Sequence, residues 1–115
     1  MHAEQTQAIA PVRETMMRVR QRFLSGLPDK VHAISIEVAR ATSGAGSLET
    51  LERLFHTIAG TGSTLGFVSL ASLAREAEEI CSAHSLDSES AAYLRMIAAD
   101  LEKAVAAMSS HQTAA

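Results

Sequence analysis

Aromatic side chains are scarce in this 115-residue chain: three phenylalanines, one tyrosine and no tryptophan make up 3% of it, against 47% hydrophobic residues overall. Any core must therefore be built from Leu, Ile, Val, Met and Ala, a palette suited to packed helices and poor in the residues that favour strands. A single cysteine, Cys81, excludes an internal disulfide, and no paired Cys/His spacing suggests a metal site. No apolar run reaches the length of about 18 residues needed for a membrane span. The opening MHAEQTQAIAPVRE lacks a charged-then-apolar targeting signal. The ten basic residues form no cluster and are outnumbered by thirteen carboxylates, for a net charge of −3, so a nucleic-acid footprint is not expected. Nucleotide-binding motifs are also missing, so the chain is not itself a kinase. These absences leave a cytoplasmic, bacterial-type single domain over residues 1–115, monomeric, with frayed tails at about 1–7 and 109–115.

What is present is helical periodicity. Ile9, Val12, Met16, Val19 and Phe23 recur at spacings of three and four, with Pro11 near the first turn. Leu27, Val31, Ile34, Val38 and Ala41 continue the rule after SGLPDK, where Pro28 either starts a new helix or kinks a long one. TSGAGS, residues 42 to 47, reads as a loop, with Ser47 as N-cap and Glu49 in the first turn of the next helix. Leu48, Leu51, Phe55, Ile58, Gly62 and Leu65 mark one face of that helix, which Gly66 closes or breaks. Leu70, Leu73, Ala77 and Ile80 mark the following one. Tyr93, Ile97, Leu101, Val105 and Met108 mark the last, capped by Asp87 or Ser88, while Met16, Met17 and Met108 read as adaptable core filler. The expected fold is all-α: an antiparallel up-and-down four-helix bundle with an additional N-terminal helical segment.

Within this pattern HTIAGTGSTLG, residues 56 to 66, stands apart. The apolar stripe of its helix centres about 130° from His56, at about 100° per residue, so the imidazole belongs at a boundary or in water. An isolated surface histidine is the plainest reading, and it suffices for His2, His32, His84 and His111. His56 has particular company. Gly60 and Ser63 lie on its own face downstream, with Ala59 beside them, and Glu52, Glu49 and Arg53 lie upstream. Glycine inside a helix costs about 1 kcal/mol relative to alanine. A surface approached closely by another molecule would explain Gly60, whereas Gly62 faces the bundle and permits tight helix contact.

HTIAGTGSTLGF followed by LASLAREAEEI resembles the signature of histidine-containing phosphotransfer (HPt) domains, in which glycines follow a histidine at four and ten positions. FLSGLPDKVHAISIEVARA is similar to the family's preceding helix, and the resemblance covers roughly residues 20 to 82. It implies a helical bundle that carries a phosphoryl group on His56 between a sensor (hybrid) histidine kinase or receiver and the aspartate of a response-regulator receiver domain. It implies a carrier rather than an enzyme, without cofactor, since magnesium would belong to the receiver. Glu78, twenty-two positions after His56, matches a glutamate that orients the imidazole in the family's chemotaxis-kinase branch. Arg75 and Arg53 could supply positive charge to the phosphoryl group. Glu52, Ala59, Gly60 and Ser63 would form the docking surface.

One position departs from the pattern. Where the family usually has lysine three residues after the histidine, this chain has Ala59. The missing cation is worth about 1 kcal/mol if it behaves as exposed charge pairs do. A second reading follows: an interaction module that binds receiver domains without being phosphorylated. A third, an enzyme using His56 as general base, lacks a pocket and a second catalytic group.

Overall fold

In the computed structural model the chain forms four helices, α1 His2–Thr42, α2 Leu48–Thr64, α3 Val68–Ser82 and α4 Ser88–Ala114. The backbone is described for residues 2–114 and the side chains for residues 11–108; Ile9, His2, His111 and the expected tails at 1–7 and 109–115 lie outside the described side chains. Among the described residues there is no strand.

The helix boundaries follow local chemistry. Ser47 takes an extended conformation and its hydroxyl accepts the Thr50 N–H at 3.2 Å, capping α2 with Glu49 in the first turn. At the other end of α2 the Phe67 N–H reaches the Gly62 carbonyl at 2.7 Å and the Gly66 N–H reaches Ser63 at 3.2 Å. This Schellman closure needs a left-handed residue, and Gly66 supplies it at φ +88°. Asp87, not Ser88, caps α4: its Oδ1 accepts the Ser90 N–H at 2.7 Å.

Of the two outcomes left open at Pro28, the start of a new helix does not occur. One helix of 41 residues runs through Pro11 and Pro28, so the N-terminal segment is the first half of α1 rather than a separate element. An interior proline costs about 3 kcal/mol. Leu27, Val31, Ile34 and Val38, all buried, anchor the helix on either side of Pro28 and offset it.

Leu51, Phe55 and Ile58 from α2, Leu70 and Ala74 from α3, and Leu94, Ile97, Leu101 and Val105 from α4 complete the core. Three faces differ from those read in the sequence. Val12, Met16 and Val19, and Met17 beside them, are exposed, because α1 extends beyond the bundle there and nothing covers it. On α4 the buried stripe runs through Ala91, Leu94, Ile97 and Leu101 and leaves out Tyr93, which lies 42% exposed. On α3 the buried face is Leu70, Ala71, Ala74, Ala77 and Cys81, with Leu73 and Ile80 only half-buried. That seam of small residues packs on α2, where Gly62 lies beside Leu70 and Ala71, and lets the two helices approach closely. The α2–α3 turn is tied to α1 by the two remaining phenylalanines: Phe23 and Phe67 stack at 5.7 Å between centroids. Arg20 lies 4.2 Å over the Phe67 ring and donates to the Leu65 carbonyl at 2.8 Å.

Candidate functional site

His56 lies midway along α2, outside the apolar stripe, with its side chain 75% exposed. Across the close α2–α3 seam stands Glu78, whose carboxylate Oε2 accepts a hydrogen bond from His56 Nδ1 at 2.7 Å. Glu78 is more sheltered, with 26% of its side chain exposed. It is one position after the buried Ala77, so the packing that buries Ala77 also sets the direction of the carboxylate. The consequence is chemical. With Nδ1 holding the proton shared with Glu78, Nε2 carries the lone pair and points away from the protein.

The helix surface beyond the imidazole is bare. Gly60 is exposed, and a methyl group added there would meet nothing within 4 Å. The fold therefore has no packing requirement for glycine at this position. Thr64 Oγ1 donates to the Gly60 carbonyl at 2.9 Å, which keeps the hydroxyl turned onto its own helix. Ser63 is exposed on the same face.

The other residues expected at the site divide. Glu52 is half-buried and Arg53 exposed, both on α2 upstream of His56. Arg75 is exposed on α3 one turn before Glu78, and among the described residues neither it nor Arg53 has an ion-pair partner. Ala59 is a correction. Its side chain is 3% exposed and packs in the core, so it belongs to the helix seam and not to a docking surface. A residue at this position can present charge only by threading a long side chain out past α3.

Two features escaped the sequence. A shallow groove of about 170 Å³ runs along the other flank of α2, lined by Lys30, Ala33, Ile34, Leu54, Thr57 and Ile58. It brings a lysine and apolar surface alongside the histidine-bearing helix. Its walls come from α1 and α2, 20 residues or more apart in sequence, and no local pattern marks them. The second is Cys81, buried beneath the seam. Burial, with the Glu52 carboxylate nearby, pushes its thiol up to about 11. No group of three or more His, Cys, Asp or Glu residues able to hold a metal occurs among the described residues. Among the described residues no helix is long and apolar enough to cross a membrane.

Comparison with known proteins adds a family model described as Hpt domain, which matches residues 18–111. Neither the curated proteins nor the solved structures yield a match.

Proposed function

The chain belongs to the Hpt domain family, which places it in His–Asp phosphorelay signalling, and we propose that it carries the phosphoryl group on Nε2 of His56. The observation that supports this reading best is the 2.7 Å contact between His56 Nδ1 and Glu78 on an otherwise open imidazole. It leaves one nitrogen free, nucleophilic and accessible.

The chemistry follows from that tautomer. A receiver's aspartyl phosphate approaches over the side-chain-poor shelf at Gly60 and Ser63, so that its phosphorus lies in line with the Nε2 lone pair. The N–P bond forms as the bond to the aspartyl oxygen breaks, and the aspartate carboxylate is regenerated. Positive charge grows on the ring during this step, and the Glu78 carboxylate faces the Nδ1–H that carries it. Transfer to the next receiver is the reverse. Magnesium for both steps is held by the receiver's aspartates, and this chain supplies the accepting nitrogen, its orientation and the docking surface. Arg75 and Arg53, exposed on either side of the site, provide positive charge that the core-facing Ala59 cannot. The relay partners are a sensor histidine kinase and response-regulator receivers.

Incubation with a phosphorylated receiver tests the reading. Wild type takes label in an acid-labile form, and NMR locates the phosphorus on Nε2. His56→Gln takes none, while Glu78→Ala retains the fold and loses about ten- to a hundredfold in rate, the usual effect of releasing an oriented imidazole. Label on Nδ1, or label that survives in His56→Gln, would reject the assignment. The buried Ala59 favours one competing reading, a module that binds receivers and stays unphosphorylated; receiver binding without label in wild type would select it.

A further inference from the structure

One face of this molecule has no partner inside it. From Pro11 to Arg22 every residue of α1 is exposed. Val12, Met16 and Val19 follow one line of the helix, 64%, 44% and 43% exposed, and Phe23 continues that line into the bundle, while Met17, 68% exposed, lies off it. Arginines border the stripe on both sides, Arg13 and Arg20 on one flank and Arg22 on the other, while Arg18 and Glu14 fall toward the back. Four arginines against one glutamate over residues 11–22 make this stretch basic in a chain whose net charge is −3.

At the other end of the bundle α3 and α4 present the inverse pattern. A groove of about 730 Å³ opens between them, with Ile80, Tyr93 and Met96 as its apolar floor. Its rims carry Glu76 and Glu79 on α3 and Glu89 on α4. Among the described residues none of these three carboxylates, and none of Arg13, Arg18 and Arg22, takes part in an ion pair. An apolar stripe flanked by arginines thus faces solvent at one end, and an apolar groove flanked by glutamates faces solvent at the other.

They cannot meet within one chain. The overhang leaves the bundle at the α2–α3 turn, where Arg20 and Phe23 hold Leu65 and Phe67. The groove lies beside the α3–α4 turn, at the opposite end, and α1 is unbroken, so it does not fold back. In two antiparallel copies they do meet. The stretch of α1 before Phe23 spans about 30 Å at about 1.5 Å per residue, enough to run the whole of a neighbour's α3, about 22 Å long. A two-fold axis makes the same contact twice.

We propose that two copies of this chain pair about a two-fold axis, each laying the arginine-flanked stripe of its α1 overhang into the glutamate-rimmed groove between α3 and α4 of the other. A monomer is the expectation at the level of the sequence; the stripe and groove argue for the pair. Positions 76, 79 and 80 point away from Glu78 by about 100° to 160° around α3, so His56 stays open in the dimer and the pairing does not depend on its phosphorylation.

Light scattering on the full chain, from micromolar to millimolar concentration, tests this. Wild type gives twice the chain mass at low salt and shifts toward monomer as salt screens the pairs. Arg13→Glu/Arg18→Glu/Arg22→Glu and Glu76→Arg/Glu79→Arg/Glu89→Arg each weaken self-association at least tenfold with unchanged helix content by circular dichroism, since all six side chains are exposed. Mixing the two variants restores a dimer, because each acidic overhang then meets a basic groove and each basic overhang an acidic one. A wild type monomeric throughout, a dimer indifferent to either reversal, or no association on mixing would overturn the proposal. So would a monomer whose overhang instead binds phosphatidylserine vesicles, which would assign the stripe to a lipid surface.

Discussion

Gly60 carries the sharpest argument at the scale of single residues. Nothing within 4 Å would obstruct a methyl group there, so the helix tolerates alanine and gains by it. Gly60→Ala is expected to raise stability by about 0.5–1 kcal/mol, read from denaturant midpoints. The same substitution is expected to slow phosphoryl transfer from a receiver by roughly tenfold, the equivalent of about 1.4 kcal/mol at a closely fitted surface. A variant that is more stable and equally fast would remove the reason for glycine at this position. In the proposed relay His56 depends in a different way on its neighbours: an exposed imidazole would act as a one-sided nucleophile because Glu78 holds Nδ1. Cys81 shows the opposite outcome, a nucleophilic side chain silenced by burial and a nearby carboxylate.

Among the elements, α4 illustrates how one cap couples to pH. The Ser90 backbone N–H donates to Asp87, with the Ser90 side chain adding to it, and holds the Asp87 carboxyl below the usual carboxylate value. A depressed folded pKa contributes stability that is present above the unfolded value and lost as pH falls through the folded one. Thermal melts should therefore show Asp87→Ala below wild type at pH 7, with the gap closing under acid conditions. Asp87→Asn, which caps without titrating, should keep most of the neutral-pH stability and lose that acid sensitivity. In α1 the competition is between a proline and a core: Pro28 removes a backbone donor, yet Leu27 and Val31 beside it are fully packed, and continuity wins.

Over the whole molecule, the site exists because four helices share a core with almost no aromatic volume. Phe55 is the exception, fully buried and one position before His56. Phe55→Ala is expected to cost about 3–5 kcal/mol, a large part of a small domain's total stability of about 5–15 kcal/mol. Urea titration should show the loss, and phosphotransfer should fall with it, because the α2–α3 seam that aims Glu78 at His56 is built on that packing. Beyond the bundle, the 61 Å long axis of the molecule is set by α1, whose residues 11–22 are all exposed.

Much of this was legible in the chain itself. Spacings of three and four residues marked all four helices, Ser47 and Gly66 marked the ends of α2, and the imidazole with its glycines marked the site, because each of these is a local property of consecutive residues. Which face of α3 is buried, whether α1 survives Pro28, and that Ala59 points inward were decided by packing between helices distant in sequence. Glu78 stood in the motif as a residue type at a spacing; its 2.7 Å hold on His56 is a tertiary fact, set by small side chains that let α2 and α3 come together. The exposed stripe of α1 was misread as core for the same reason: periodicity reports that a helix has an apolar face, and only the fold decides whether anything in the same chain covers it.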